Sequence, residues 1–155
     1  MTRRGRLRPP GAGTEEQFLA SCIRCARCVE ACPYQAVRLA PITALFSFGT
    51  PFIDPGRTPC YLCMRCPAAC PTDALTVLTK TDVRMGLAVI DQDTCLSYND
   101  AVCNLCYASC PLKDEAVTMD ELLRPAILDG CVGCGVCEHV CPTDEPSVRV
   151  IPRAP

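Results

Sequence analysis

The sequence has no tryptophan, only four phenylalanines, four tyrosines and one histidine among its 155 residues. So little aromatic surface excludes an ordinary aromatic core. No run approaches the ~20 apolar residues that a membrane-crossing helix needs. The longest apolar-leaning stretch, Ala40 to Ile53, is broken by Pro41, Gly49 and Pro51. No G-x-G-x-x-G turn for a dinucleotide is present, and no nucleophile–base constellation. A chain of this kind is expected to have no catalytic residues and no substrate site of its own. The formal net charge is −2, with no basic excess to attract nucleic acid.

What the chain does have is cysteine, sixteen in all. All sixteen fall into four runs, each closed by Cys-Pro. Motif one is Cys22, Cys25, Cys28, Cys32, and motif two is Cys60, Cys63, Cys66, Cys70. Motif four is Cys131, Cys134, Cys137, Cys141. These three read C-x2-C-x2-C-x3-C-P, the spacing that holds cubane iron–sulfur clusters in bacterial-type ferredoxins. Motif three, Cys95, Cys103, Cys106, Cys110, carries an insertion between its first two cysteines. In each run three thiolates must meet corners of one compact ion, while the fourth reaches a neighbouring cluster. Glycines in motif four let amides turn toward the sulfurs, and Pro142 suits the start of a following helix.

A disulfide scaffold does not require four copies of one ligand spacing. Structural zinc pairs two C-x2-C knuckles across a longer spacer, which is not the pattern here. The expectation is four [4Fe–4S] clusters with all sixteen cysteines as iron ligands. The expected fold class is α+β: two ferredoxin-like 2[4Fe–4S] modules with little regular secondary structure, short helices and hairpins wrapped around the clusters. Folding is expected to depend on iron, since little else forms a core.

Residues 1–18 read as an extended basic, proline-rich arm, either a free tail or a strap along a partner. Arg3-Arg4 resembles a twin-arginine export signal, but no apolar segment follows. Thr14 to Cys22 predicts a helix capped by Thr14. Residues 19–155 form the four-cluster domain. A short strand ending in Asp precedes each of the last three motifs, and Ser147 to Ile151 predicts a final strand. The stretch between Cys70 and Cys95 predicts a hairpin of two apolar strands. This favours a nested arrangement, with an inner module of about 58–112 and an outer one from 19–57 plus 113–155. Cys60, Cys63 and Cys66 would then share a cluster with Cys110, and Cys95, Cys103 and Cys106 with Cys70. Cys22, Cys25 and Cys28 would take Cys141, and Cys131, Cys134 and Cys137 would take Cys32. Sequential pairing is the competing topology.

Smaller features have two readings each. The insertion Leu96 to Val102 either shields a cluster or is a tolerated loop. His139 is expected to face solvent, since the cysteine set is already complete. Arg24, Arg27 and Arg65 lie inside the motifs and either tune a cluster or are simply solvated. The run Leu45-Phe46-Ser47-Phe48 either packs over a cluster, the favoured reading, or is an exposed docking element.

The opening Leu7-Arg8-Pro9-Pro10-Gly11-Ala12, the run CIRCARCVEACPY, the stretch Arg84-Met85-Gly86-Leu87-Ala88-Val89, and Thr94-Cys95-Leu96-Ser97-Tyr98 resemble the NapG/MauM group of ferredoxin-type proteins over nearly the whole chain. The resemblance implies four [4Fe–4S] clusters and electron transfer. Its partners would be a polytopic, quinol-oxidising membrane subunit of the NapH kind and a redox enzyme or cytochrome. It also implies the periplasmic side of a membrane, while the lack of an export signal in this chain allows the cytoplasmic face. The second motif is tighter than the group's usual form. Two further readings stand beside the relay: a maturation ferredoxin that leaves the finished enzyme, and a free soluble carrier.

Overall fold

The computed structural model describes residues 5–153; Arg3-Arg4 lies outside them. Secondary structure is sparse and short, a mixed α+β arrangement. Helix α1 spans Glu15–Ser21, as the sequence predicts. Thr14 and Gln17 close a reciprocal cap at its start, each side chain bonded to the other's amide. Single-turn helices α2 (Arg27–Glu30), α3 (Arg65–Ala69), α4 (Leu105–Ala108) and α5 (Val136–His139) each carry the third cysteine of one motif. Among the described residues no helix is long and apolar enough to cross a membrane.

Six strands form three antiparallel pairs. Strand β1 (Val37–Leu39) pairs with β2 (Pro51–Ile53), and β4 (Val117–Met119) with β5 (Pro125–Ile127). Strand β3 (Gly86–Ile90), which precedes motif three, pairs with β6 (Val148–Pro152), which follows motif four. Each of β1–β2 and β4–β5 therefore links one motif to the next. The strand after motif four is present as predicted.

Three expectations need correction. No helix starts at Pro142: the helical turn of motif four lies before it, at Val136–His139. The segment after motif two forms no strand. Instead the Thr76 amide donates to the Gly11 carbonyl at 2.9 Å, so the chain's own arm supplies the backbone partner. Gly11 has a φ of +85°, and a Cβ there would meet the Thr76 carbonyl oxygen at 2.2 Å, so only glycine allows this approach. Over its described part the arm is accordingly packed on the chain itself and is not a free tail. Leu7, Arg8, Pro9 and Pro10 are buried. The Ile53 amide donates to the Leu7 carbonyl at 2.8 Å. Arg8 lies over the Phe18 ring and donates to Glu15, the Thr50 hydroxyl and the Pro51 carbonyl. A buried guanidinium is tolerable only when its donors are met in this way.

The core is made of small aliphatic residues and cysteines. Phe18, Leu62, Val83 and Val132 are almost wholly enclosed, with Cys28, Cys60, Cys66 and Cys134 buried beside them. Phe18 is the one aromatic among the fully buried side chains described.

Candidate metal centre

The cysteine loops share one backbone device. In motifs one, two and four the residues two and four positions after the first cysteine are left-handed: Arg24 and Ala26, Leu62 and Met64, Gly133 and Gly135. Alternation of this kind turns successive amides inward and forms an anion-binding nest. Only motif four meets the demand with glycine. In the other two loops the residues carry backbone strain, which persists where the surroundings over-determine it. Motif three breaks the pattern, because Asn104 has a φ of −133°.

The folded chain gathers the sixteen thiols into four rings. Cys22, Cys25, Cys28 and Cys70 line the first, with Phe18 behind them. Cys95, Cys103, Cys106 and Cys141 line the third, and Cys131, Cys134, Cys137 and Cys110 line the fourth. For the second, Cys32 is buried in one hydrophobic cluster with Cys60 and Cys66, and helix α2 packs on α3, which places Cys32 with Cys60, Cys63 and Cys66. Each ring therefore takes three thiols from one motif and the fourth from its sequence neighbour, motifs one and two exchanging, and motifs three and four. This corrects the nested pairing: Cys70 joins Cys22, Cys25 and Cys28 rather than Cys95, Cys103 and Cys106, and Cys110 joins Cys131, Cys134 and Cys137 rather than Cys60, Cys63 and Cys66. The physical reason is the strand pairing. β3 closes on β6, so motifs three and four share one framework, while the arm closes against Thr76 and frames motifs one and two.

The rings also abut one another. Helix α2, which carries Cys28, packs on α3, which carries Cys66, linking ring one to ring two. The Cys60 amide donates to the Cys134 carbonyl at 2.9 Å, linking ring two to ring four. Cys106 acts on Cys137 and borders the hollow of ring four, linking it to ring three. Their order in space is one, two, four, three.

The donor set fits iron–sulfur clusters. Burial pushes the Cys60 thiol up to about 12, with repulsion from Cys134, Cys63 and Cys32 adding to it. Burial likewise raises Cys28, Cys106 and Cys134 to about 11. Cys66 and Cys137 are raised for the same reason, each with neighbouring thiols reinforcing the effect. Crowded buried thiols of this kind hold their protons until a cationic centre displaces them. At Cys141 burial pushes upward, but the Thr143 hydroxyl and the amides of Thr143, Ser147 and Val148 outweigh it and hold the thiol below its ordinary value. Sulfurs elsewhere also receive donors: the Ala36 amide to Cys32 at 3.3 Å, and the Ala88 amide to Cys131 at 3.5 Å.

Two of these second contacts were missed in the sequence. Thr143 sits 3.1 Å from Cys141 Sγ, and Thr72 sits 3.6 Å from Cys70 Sγ. The signal was a repeated Cys-Pro-Thr-Asp, at 70–73 and 141–144 and nowhere after motifs one and three. That repeat also matched motif two to motif four.

The remaining candidates take simple places. The insertion after Cys95 shields ring three: Leu96 and Ser97 line its hollow. It is knitted to its surroundings, with the Ser97 hydroxyl donating to the Cys103 carbonyl and the Tyr98 hydroxyl to the Pro125 carbonyl. Asn99 caps three carbonyls, those of Gln92, Asp93 and Cys95. His139 is exposed, as are Arg24, Arg27 and Arg65. Tyr34 and Tyr61 meet with their rings tilted by 44° and ring centres 4.7 Å apart, and Tyr107 donates to Asp114 at 2.7 Å.

Comparison with known proteins agrees with this chemistry. Residues 21–74 match the family described as a 4Fe-4S dicluster domain, and residues 128–144 match that described as a 4Fe-4S binding domain. The first match spans motifs one and two together. The ferredoxin-type protein NapG of Escherichia coli (strain K12) is 40% identical over 163 aligned positions, covering 95% of this chain and 71% of the relative. The methylamine utilization ferredoxin-type protein MauM of Methylorubrum extorquens is 41% identical, covering 95% of this chain and 73% of the relative. MauM of Methylobacillus flagellatus is also 41% identical, over 95% of this chain and 68% of the relative.

Proposed function

This chain belongs to the NapG/MauM ferredoxin-type proteins, iron–sulfur proteins of electron transfer, and from that premise we propose that it is the relay subunit between a quinol-oxidising membrane subunit and a redox enzyme or cytochrome. The sixteen cysteines suit four [4Fe–4S] clusters. In this reading Cys22, Cys25, Cys28 and Cys70 hold one, and Cys60, Cys63, Cys66 and Cys32 the next. Cys131, Cys134, Cys137 and Cys110 hold the third in space, and Cys95, Cys103, Cys106 and Cys141 the last. The fold then consists of two ferredoxin-like modules in sequence order, motifs one and two followed by motifs three and four.

A [4Fe–4S] cluster supplies one-electron redox chemistry. The chain's own residues supply spacing, shielding and tuning. Amides and hydroxyls aimed at the sulfurs favour the more negative, reduced state. Burial of Cys60, Cys66 and Cys134 keeps water from the inner rings, while Leu96 and Ser97 cover one side of ring three. The observation that carries the relay reading is the packing of successive rings on one another: helix α2 against α3, the Cys60 amide on the Cys134 carbonyl, and Cys106 at the border of the hollow of ring four. A carrier with two isolated modules has no need of the middle one.

The test is an anaerobic, mild-detergent purification from native membranes, with iron assayed and accompanying proteins identified by mass spectrometry. The expected result is about sixteen irons per chain, together with a polytopic membrane subunit and a redox enzyme in fixed ratio. A chain that arrives alone in the soluble fraction with its iron would sink the relay and leave the carrier or maturation reading.

A further inference from the structure

The connection between β1 and β2 is built inside out. Its polar groups turn inward. Thr50 is fully buried, with its hydroxyl donating to the Ser47 carbonyl, and the Ser47 hydroxyl donates to the Ala44 carbonyl. The Ala40 and Gly49 amides close the base of the loop, bonding to the carbonyls of Thr50 and Ala40 at 2.9 Å each. Its large apolar side chains point out: Ile42 is 75% exposed, Leu45 70%, Phe46 84% and Phe48 49%. Leu45 is held at a φ of +47°, outside helical geometry, so the turn keeps this shape at a cost in backbone strain. The sequence reading that favoured packing of Phe46 and Phe48 over a cluster is overturned.

The flanks of this knob are basic. Arg6 donates to the Ser47 hydroxyl, and the Arg24 side chain lies against Gly49. Arg38 is exposed on β1, and no acidic residue occurs between Glu30 and Asp54. Protruding Phe and Leu side chains ringed by Arg match the boundary between anionic headgroups and acyl chains. The knob also has a fixed place relative to the thiols. Pro51, at its base, lines ring one, and Arg24 lies between Cys22 and Cys25.

We infer that Ile42–Phe48 is an interfacial loop that seats the ring-one end of the molecule on an anionic lipid surface. This rests on the relay reading for its consequence: ring one would face the membrane and its quinol-linked partner, and ring three, at the far end of the row, would face the redox enzyme.

The test uses the full-length, iron-loaded protein under anaerobic conditions, sedimented with phosphatidylglycerol vesicles and with phosphatidylcholine vesicles. The expected result is binding to the anionic vesicles, weakened at least tenfold by Phe46→Ser and by high salt, with iron content unchanged. Leu45→Gly serves as the second variant, since it removes both an apolar side chain and the left-handed strain; it too should bind at least tenfold more weakly while folding no worse. Equal binding by the variants overturns the inference, as does binding that ignores lipid charge or no binding of the parent protein, even if a membrane protein captures the loop instead. Sedimentation does not depend on electron flow. Intact vesicle binding by a protein whose clusters cannot be reduced would therefore fault the relay alone.

Discussion

The Cys60 amide donates to the Cys134 carbonyl at 2.9 Å, joining the backbone of motif two to that of motif four. These two cysteines are far apart in sequence and belong to different rings. Their bond fixes the two inner rings against each other, while rings one and three are left at the ends. Gly133, next to Cys134, is packed so tightly that a Cβ would meet the Gly86 backbone at 2.5 Å.

Replacing Gly133 with alanine tests this junction. Its φ of +73° and the rigid Gly86 backbone leave no room to yield. The expected cost is about 2–3 kcal/mol, seen as a lower anaerobic thermal midpoint and loss of iron from ring four. Gly56→Ala is the control: a Cβ there meets nothing closer than Asp54 at 3.6 Å, and the midpoint should stay where it is.

Ring membership makes a sharper prediction. Cys32→Ala and Cys66→Ala should remove the same cluster, because Cys32 is buried in one hydrophobic cluster with Cys60 and Cys66. Each variant should lose about four of about sixteen irons and leave the same residual spectrum by electron paramagnetic resonance. A Cys32→Ala spectrum that instead matches Cys131→Ala would restore the nested pairing.

Thr143 should tune ring three. Once Cys141 is bound as a thiolate, only the Thr143 hydroxyl, 3.1 Å away, can donate between them. A hydrogen bond of about 1 kcal/mol corresponds to about 40 mV for one electron. Thr143→Val should lower the potential of that cluster by roughly this amount, and Thr143→Ser should restore it. A redox titration followed by paramagnetic resonance reads the shift; an unchanged potential would show that the hydroxyl spends its proton elsewhere.

Iron loading should be opposed by acid. The folded thiols are raised, Cys60 to about 12 and Cys28, Cys106 and Cys134 to about 11, so near neutral pH each carries a proton. Every iron–thiolate bond must displace one, and each unit of falling pH then costs about 1.4 kcal/mol per thiol. Anaerobic reconstitution of the iron-free chain should therefore yield more four-cluster protein at pH 8.5 than at pH 6.5, with protons released as iron is taken up. A yield that rises toward acid would contradict this sign.

The amino-acid sequence by itself determined the chemistry. Ligand spacing is a local matter: three thiols two residues apart must meet one compact ion whatever the rest of the chain does, so the cysteines and their clusters were legible. The capped helix before motif one and the strands before motifs two, three and four were legible for the same reason, since caps and short apolar runs act over a few residues. Only the tertiary structure decided which motif lends its fourth cysteine to which. That choice depends on long-range strand pairing, β3 with β6 and the arm with Thr76, and the same short strands serve nested and sequential arrangements equally well. It also decided where the arm and the loop Ile42–Phe48 lie. An Arg-and-Pro segment and a short apolar run have no periodicity to fix their partners. Arg8 is buried because Glu15, Thr50 and Pro51 meet its donors, and Phe46 stands in solvent because Thr50 and Ser47 turn the loop's polar groups inward.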